Sequence, residues 1–379
     1  MPWNEVDTMS LRREFVSLAA EPGANIRELC RRFGVSPKTG YKWINRYRLE
    51  GPEGIRDRSR RPKHTPGRTS PEMEKRVVKV REAHKAWGGR KIRDVLLRAG
   101  EREVPAASTI TEILRRHGNL DPGESAKHKP FMRFEYETPN ELWQMDFKGH
   151  FQTPVGRCNP LTILDDHSRF SVGLFACEDQ RWTTVQARLT EVFRRYGLPE
   201  RILTDNGSPW GSDLEHPHTK LTAWLMRLGI RVIHGRPFHP QTQGKDERFH
   251  RTLQAELLRY ETFVDLVHGQ EAFDRWRETY NHERPHEALG MEVPASRYRI
   301  SQRAFPETLP PIEYGPGEIV RKVCNAGYVY YRGKPFRVGK AFDGYPVALR
   351  PAAIAGKMEV YFCAWRIATI DLKENETDA

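Results

Sequence analysis

The spacing of apolar residues changes twice along the 379-residue chain, and this constrains its fold more than any other feature. Up to residue 120, apolar residues recur at helical spacing within short segments. Residues 141–282 alternate strand-like and helix-like stretches, and residues 316–372 contain only short strand-like runs separated by Gly, Pro or Asn. Because each pattern buries a different kind of apolar face, the sequence predicts a multidomain chain that is first all-α, then α/β, then all-β.

The net positive charge is confined to the first of these regions. Residues 1–120 hold 27 Lys and Arg against 15 Asp and Glu, a net charge of +12, whereas residues 121–379 hold 35 of each. A basic module joined to a neutral one is typical of a nucleic-acid-docking region attached to another domain, since neutralised phosphates release counterions. An ordinary solvated basic surface is the alternative.

The composition excludes several classes of protein. The apolar content of 38% is too high for wholesale disorder, and no apolar run approaches the roughly 18 residues that cross a bilayer. The five cysteines are scattered singly, and the first ten residues lack the basic start and apolar stretch of a secretion signal. We therefore expect a soluble protein of a reducing cytoplasm, without disulfides and without membrane contact.

Residues 1–52 are predicted to form a helix-turn-helix domain of three short helices. Gly34 permits a sharp turn, and Ser36 can cap the helix that follows. On this helix, Ile44 and Tyr47 are expected to face the core. Its outer face then carries four side chains spaced to enter a major groove: Lys38, Thr39, Lys42 and Arg46. An ordinary three-helix core without DNA contacts is the alternative.

Residues 53–69 are predicted to form a basic linker arm. Pro62 and Pro66 prevent a helix, so the arm is expected to be extended. It could lie in a minor groove, between two major-groove contacts, through four arginines: Arg56, Arg58, Arg60 and Arg61. A flexible linker is the alternative.

Residues 70–120 repeat the plan of the first domain and predict a second helix-turn-helix domain. Ser70 can cap a first helix, a Gly-Gly pair follows that helix, and Pro105 opens a third. The third helix would present three side chains to DNA: Ser108, Thr111 and Arg115.

After a connector at residues 121–140, residues 141–298 are predicted to form a mixed sheet covered by helices. The predicted strands are 142–149, 161–166, 170–175, 201–204 and 230–234. The predicted helices are 182–196, 218–228, 244–259 and 269–281.

Three acidic residues of this region occupy positions that suit simple solvation poorly. Asp146 lies within an apolar strand, Asp205 just past the end of another, and Glu247 near the start of a helix. A carboxylate in a strand is costly unless it is paired or bound to a metal, and a cluster of three suits hard cations such as Mg²⁺. Taken singly, each could equally be a cap or a surface acid.

Three segments around these acids closely resemble the catalytic blocks of the DDE recombinase superfamily, specifically the retroviral-integrase-like transposases of bacterial insertion sequences. The segments are WQMDFKG, LTDNGSPW and HPQTQGKDERFHRTL. The downstream YNHERPHEALG resembles the segment that closes that core domain, and two helix-turn-helix domains match the usual DNA-binding region of these transposases. The resemblance covers residues 141–298 strongly.

The resemblance implies a ribonuclease-H-like fold in which Asp146, Asp205 and Glu247 meet as catalytic metal ligands. They would hold two Mg²⁺ ions, for which Mn²⁺ can substitute, roughly 4 Å apart. One ion would activate the nucleophile, first water and then a DNA 3′-hydroxyl, and the other would stabilise the leaving oxygen. His250 and Arg251 follow Glu247 on the same helix, so both are predicted to contact phosphates beside the metals.

Other residues offer competing interpretations that we set aside. Asp246 points about 100° away from Glu247 on a helix. The Asp-Asp pair at 165–166 follows a strand, where a turn role is expected. The sequence HERPH at 282–286 formally matches a zinc-protease motif, but Pro285 interrupts the continuous helix that this motif needs.

Residues 310–372 are predicted to form a small antiparallel β-barrel. An aromatic and basic strip in this domain could touch DNA or another protomer, and ordinary β-sheet surface explains the strip equally well. Its members are Tyr328, Tyr330, Tyr331, Arg332, Lys334 and Arg337.

Together with the resemblance, these features predict a bacterial DNA transposase that is associated with the nucleoid. Residues 1–120 would bind the terminal inverted repeats of its own mobile element, and residues 141–298 would cleave DNA strands and join them to target DNA. Two element ends must be held together, so a homo-oligomer is expected. The alternatives are a helix-turn-helix regulator with an inactive recombinase core, which the three intact carboxylates disfavour, and a structure-selective nuclease on the same fold.

Overall fold

The computed structural model describes residues 7–58, 69–120, 135–211, 218–235, 244–324 and 326–373. The chain divides into two compact units, Met1–Arg68 and Thr69–Ala379. The predicted fold class is confirmed, because all-α modules precede an α/β region with a mixed sheet, and antiparallel strands follow it.

Between residues 7 and 58, the first unit contains three α-helices: α1 (Thr8–Ala19), α2 (Ile26–Arg32) and α3 (Pro37–Glu50). The predicted cap of α3 is present, since the Ser36 hydroxyl accepts a hydrogen bond from the backbone N–H of Thr39. A 3-10 helix, Gly51–Ile55, follows α3, and Ile55 is fully buried in the core of this unit. The compact part of the first domain therefore reaches Ile55.

One core position on α3 was predicted wrongly. Ile44 is buried as expected, but Tyr47 is 38% exposed. Trp43, which the helical period did not single out, is buried instead and shares the core with Ile44 and Ile55. The core is completed from outside the helical pattern, by a residue of the 3-10 helix, and so does not need Tyr47.

The second unit begins with three further helices: α4 (Pro71–Ala83), α5 (Gly89–Arg98) and α6 (Ala107–Arg116). The side chain of Ser70 caps α4. A Cβ on Gly89 would lie 2.3 Å from the carbonyl oxygen of Ala107, so only glycine lets α5 approach α6 this closely. Ile92 and Ile110 are buried where these helices meet.

The α/β region is built on a six-stranded mixed sheet. Its strands are β1 (Leu142–Phe147), β2 (Phe151–Thr153), β3 (Gly156–Asp165), β4 (Ser171–Cys177), β5 (Arg201–Thr204) and β6 (Arg231–His234). The order is β2-β3-β1-β5-β6, with β4 also paired to β3. β1 runs antiparallel to β3 and parallel to β5, so it lies at the centre of the sheet. The hairpin of β2 with the start of β3 extends the predicted sheet.

Helices cover both faces of this sheet. Because side chains alternate along a strand, Met145 and Ile163 join one apolar cluster while Leu164 and Leu174 join another. The helices on the first face are α7 (Trp182–Tyr196) and α8 (Lys220–Arg227), and those on the second are α9 (Gly244–Leu253) and α10 (Leu266–His282). Among the described residues, none of the helices combines the length and apolar character needed to cross a membrane.

A short helix, α11 (Pro294–Arg297), precedes the C-terminal strands. These are β7 (Ile319–Lys322), β8 (Tyr328–Tyr331), β9 (Lys334–Arg337), β10 (Pro346–Pro351), β11 (Lys357–Phe362) and β12 (Trp365–Asp371). They form an antiparallel four-stranded sheet in the order β12-β11-β10-β7 and a separate β8-β9 hairpin. Ala223 and Met226 of α8 share the apolar core of this domain, which therefore packs directly on the α/β region.

Candidate active site

Asp146 lies near the end of the central strand of the sheet. On β1, Trp143 and Met145 point into one apolar cluster, so Gln144 and Asp146 point to the opposite face, where α9 packs. Asp146 is half-buried there. A carboxylate thus takes a position that an apolar residue fills elsewhere on the same strand.

Asp205 lies beside Asp146 because their strands are parallel neighbours. Gln144 pairs with Leu203 in the register of β1 and β5, and each aspartate comes two residues later. Asp205 is exposed just past the end of β5, and its carboxylate accepts a hydrogen bond of 3.1 Å from the backbone N–H of Gly207. Parallel strands end at the same edge of a sheet, and this edge carries both carboxylates.

Glu247 joins these two acids electrostatically. It lies exposed in the first turn of α9. Burial raises the pKa of Asp146 to about 6, and the charges of Asp205 and Glu247 contribute to the increase. Asp146, Asp205 and Glu247 are called the carboxylate site below.

The donor set of the carboxylate site fits a hard divalent cation. Its side chains offer carboxylate oxygens, which are the ligands that Mg²⁺ and Mn²⁺ share a preference for. Neighbouring negative charges repel one another and raise the pKa of an acid among them. A bound cation relieves this repulsion. Part of the raised pKa of Asp146 comes from such repulsion, since the charges of Asp205 and Glu247 add to the effect of burial.

Asp246 and His250 lie closer to Asp146 than the sequence led us to expect. One ligand atom from each of Asp146, Asp246 and His250 lies within 4.8 Å of the others. Asp246 is 1% exposed, and burial followed by the charge of Asp146 raises its pKa well above the usual range. The missed signal was the spacing of Asp246 and His250, which places both on one face of a helix.

A buried threonine connects this inner pair to the central strand. Thr162 lies opposite Asp146 in the register of β1 and β3. Its hydroxyl is 2.8 Å from Nε2 of His250 and 3.2 Å from a carboxylate oxygen of Asp246. Burial, with a smaller effect from Lys148, lowers the pKa of His250 to about 4, so its ring is neutral near pH 7. The predicted phosphate contact of His250 stays a prediction, and its ring is turned inward toward Thr162.

The start of α9 is attached to the sheet by a second polar cluster. Lys245 pairs with the buried Asp166, which also accepts a hydrogen bond of 2.7 Å from the Gln144 side chain. The same Gln144 side chain accepts a bond from the backbone N–H of Asp246. Asp165 accepts bonds from the Ser168 N–H and hydroxyl, in the turn role that its position predicts.

The predicted DNA contacts of the first domain lie on or near α3. Lys38 and Lys42 are exposed, and the Lys42 ammonium lies 4.4 Å from the centre of the Trp43 ring. Arg46 stacks over the same ring, and the Thr39 hydroxyl lies 2.9 Å from that of Ser36 within the helix cap. All four contacts remain predictions.

The arginines of the predicted arm are only partly within the described residues. Arg56 pairs with Glu53 at 2.9 Å, and Arg58 pairs with Glu50. Arg60 and Arg61 lie outside the described residues.

The predicted DNA contacts of the second domain lie on α6. Ser108 is exposed, and Arg115 pairs with Glu112 one turn away. The Thr111 hydroxyl donates to the carbonyl oxygen of Ala107 at 2.8 Å, so its proton is already engaged. On α9, Arg251 is exposed and remains a predicted phosphate contact.

The HERPH segment does not form a helix that could hold zinc. α10 ends at His282, and Pro285 lies in the turn beyond it. His286 is packed edge-on against Tyr280, while the buried Arg284 pairs with Glu256 at 2.8 Å. The segment closes the α/β region structurally.

Family models match most of the described chain in separate segments. Integrase core domain models match residues 137–240 and 228–294. A homeodomain-like domain matches residues 39–114, a helix-turn-helix domain matches 11–63, and the C-terminal domain of IS481 family transposases matches 318–378.

Two of the relatives come from bacterial insertion elements. The uncharacterized 39.2 kDa protein of insertion element IS476 from Xanthomonas euvesicatoria is 26% identical over 237 residues, which cover 60% of this chain and 65% of that protein. The uncharacterized 31.7 kDa protein of IS407 from Burkholderia multivorans is 27% identical over 166 residues, covering 44% of this chain and 57% of that protein. The matches thus span less than two thirds of either relative.

Among solved structures, a chain of a simian T-cell lymphotropic virus intasome is 16% identical to this one. The match covers 77% of this chain and 99% of the intasome chain, with a TM-score of 0.39. The assignment of the fold rests on the strand order described above and on the matched domains. The resemblance to insertion-sequence transposases, with an integrase core and helix-turn-helix domains, is confirmed.

Proposed function

We propose that the protein is a DNA transposase that binds the terminal inverted repeats of its mobile element and catalyses metal-dependent DNA cleavage and strand transfer. The observation that carries the proposal is the carboxylate site in the matched integrase core, where Asp205 and Glu247 help to raise the pKa of Asp146 to about 6. Acidic side chains that repel one another at a sheet edge are arranged for a cation rather than for stability.

Asp146, Asp205 and Glu247 would hold two Mg²⁺ ions, or Mn²⁺ in their place. When bound, the ions supply activation of the attacking oxygen and stabilisation of the leaving oxygen of the scissile phosphate. Asp146 comes from a rigid central strand, whereas Asp205 and Glu247 are exposed at an edge that DNA can reach. The inner pair of Asp246 and His250 holds α9 against the sheet, which fixes the direction of Glu247.

DNA is the proposed partner because two helix-turn-helix domains and the whole excess of positive charge occupy the first 120 residues. Two ends of an element must be processed together, so we propose that the active form is a homo-oligomer bound to the terminal repeats and to target DNA.

Transposition in cells tests the proposal. The gene with its native flanking DNA is placed on a donor plasmid, and new insertion junctions are sequenced for the wild type, for Asp146→Asn, and for the control Glu178→Gln. Glu178 is an exposed acid just beyond β4. Junctions with short target duplications are expected from the wild type and the control but not from Asp146→Asn.

Two other outcomes would contradict the proposal. If the wild type binds the flanking repeats but yields no junctions, an inactive helix-turn-helix regulator becomes the better account. If purified protein cleaves DNA but never joins it to a target, a structure-selective nuclease on the same fold becomes the better account.

A further inference from the structure

A cleft of about 340 Å³ lies between the second helix-turn-helix domain and the integrase core. The first turns of α5 and α6 form its walls on one side, and Glu287 of the core lines the other. It is called the α5–α6 cleft below. It is separate from the carboxylate site, and none of its lining residues takes part in that site.

Two helix starts without side-chain caps border the α5–α6 cleft. The N-cap residue of α5 is Gly88 and that of α6 is Ala106, and neither provides a side-chain hydrogen bond. By contrast, α4 of the same domain is capped by Ser70. Backbone N–H groups at an uncapped helix start carry partial positive charge and have no partner within the helix, so they favour an anion.

Two cations add to this positive charge. The first turn of α5 has no acidic residue and carries Arg90 and Lys91, both of which line the cleft. Acidic residues are the ones that stabilise a helix start, so this arrangement is unfavourable on its own. The groups facing Lys91 are Arg284, Glu256 and Glu287, and burial followed by the charge of Arg284 lowers the pKa of Lys91 to about 8. The positive charge at the cleft is therefore incompletely neutralised by the protein.

The exposed hydroxyl of Ser108 completes the donors of the cleft. In a helix-turn-helix domain the second helix enters the major groove while the preceding helix crosses the sugar-phosphate backbone. Arginine, lysine, serine and helix starts are the groups that contact backbone phosphates. The first turn of α5 and the side chain of Ser108 fit that role.

We propose that the α5–α6 cleft binds a backbone phosphate of double-stranded DNA, and that Glu287 competes with this phosphate for Arg90. The proposal rests on the proposed function, since it names the place where the second domain holds that DNA. Its ligand is the phosphodiester backbone, so the contact is independent of base sequence.

Glu287 is placed to be displaced by DNA. Its carboxylate lies 3.4 Å from the Arg90 guanidinium, and both side chains are more than half exposed. Exposed pairs of this kind are weak and easily exchanged. At the other end of α5, Arg98 donates a hydrogen bond of 2.7 Å to the carbonyl oxygen of Met291. The core and the second domain therefore meet along α5, and a phosphate that replaces Glu287 changes one of the contacts between them.

Fluorescence anisotropy of the full-length protein tests the proposal. The probes are a labelled duplex of the DNA that flanks the native gene and a shuffled duplex of the same length, each titrated at several salt concentrations. The variants are Arg90→Gln and Glu287→Gln. The matched control is Lys79→Gln, which removes one positive charge from an exposed position on α4 outside the cleft.

Arg90→Gln is expected to weaken binding of both duplexes about threefold to tenfold and to reduce the slope of log K against log salt by about 1. Glu287→Gln is expected to strengthen binding of both duplexes, a gain that misfolding could not produce. Lys79→Gln should change either affinity less than twofold.

Failure of the cleft and failure of the proposed function give different results. If the wild type binds DNA but Arg90→Gln behaves like Lys79→Gln, the cleft holds no phosphate and the inference is wrong. If Glu287→Gln weakens binding, the proposed competition between Glu287 and the phosphate for Arg90 is wrong. If the wild type binds neither duplex, the proposed DNA-binding function itself fails.

Discussion

Two acidic clusters flank the central strand β1, one beside its first residues and one near its end, and they are built in opposite ways. At the turn after β3, Asp165 and Asp166 have their charges answered by donors: Ser168 and Asn140 for the first, Gln144 and Lys245 for the second. Burial raises the pKa of both Asp146 and Asp165, but the charges of Asp205 and Glu247 add to the increase at Asp146, whereas the donors around Asp165 oppose it. The first cluster is arranged for stability, and the second is arranged to bind a cation.

The largest effect that separates the two clusters is on catalysis. Glu247→Gln keeps the shape of the side chain but removes the charge that the proposed metals require. Strand cleavage of end DNA should fall on the order of 1,000-fold, the scale of several kcal/mol of transition-state stabilisation. Single-turnover cleavage measures this loss. A residual rate within tenfold of the wild type would show that another acid, with Asp246 the nearest, takes this role.

The next largest effect should be a loss of stability in the cluster at the turn after β3. Asp165→Ala removes the acceptor for three donors, the Ser168 N–H, the Ser168 hydroxyl and the Asn140 N–H, at a fully buried position. The free energy of unfolding should fall by about 3 kcal/mol, since buried donors lose their partner. Denaturant unfolding measures it. Equal stability would mean that the turn does not depend on this acid.

Metal binding should stabilise only the protein with an intact carboxylate site. A ligand at about 100 times its dissociation constant adds about 2 to 3 kcal/mol to the free energy of unfolding. The thermal midpoint of the wild type should therefore rise on addition of Mg²⁺ and fall back with EDTA. Asp146→Asn should show little change, and an equal rise in both proteins would point to a metal site elsewhere.

The pH dependence of stability separates the clusters without any metal. The pKa of Asp146 in the folded chain, about 6, lies above its ordinary value of 3.8, so folding favours the protonated acid. Its ionised form therefore opposes folding fully above about pH 6, and this cost disappears as the pH falls from 6 toward 4. Asp146→Asn should be more stable than the wild type at pH 7.5 by about 1 to 3 kcal/mol.

The control for this measurement is the difference in the free energy of unfolding between the wild type and Asp146→Asn at low pH. Near pH 4 the wild-type acid is largely protonated, so the two free energies of unfolding should converge. A gap that stays constant from pH 7.5 to 4 would show that Asp146 is not strained by its neighbours.

The smallest expected effect concerns the threonine behind the carboxylate site. Thr162→Val keeps the shape of a fully buried side chain but removes its contacts with Asp246 and His250. Stability should fall by about 1 to 2 kcal/mol. Cleavage should fall less than tenfold, because Thr162 acts only through the position of α9. A loss as large as that of Glu247→Gln would mean that the inner pair takes part directly.

Much of the fold could be predicted because apolar residues recur along most of its helices and strands without interruption. Strand 201–204 and helix 182–196 have the predicted bounds, since each carries an unbroken apolar pattern. The β2 hairpin was not indicated because only Thr153 of its three residues is buried, so no alternation reveals it. Likewise Ile55 completes the first core from a 3-10 helix, which has no apolar period of its own.

The carboxylate site was less accessible to sequence reasoning. Its three predicted acids were singled out by their surroundings, whereas Asp246 was set aside and His250 was expected to contact phosphate, so their pairing beside Asp146 was not predicted. Helix geometry gives the angle between Asp246 and Glu247, but only the packing of α9 on the sheet decides which of them is buried. Long-range packing of this kind, and the pKa that follows from it, depend on the folded chain.

Counting bound Mn²⁺ by electron paramagnetic resonance tests the central claim most directly. The wild type, Asp146→Asn and Asp165→Asn are compared in complex with a duplex of the DNA that flanks the native gene. The account predicts two ions per protomer for the wild type, two for Asp165→Asn where it remains folded, and fewer than one for Asp146→Asn. Equal occupancy in the wild type and Asp146→Asn would contradict it.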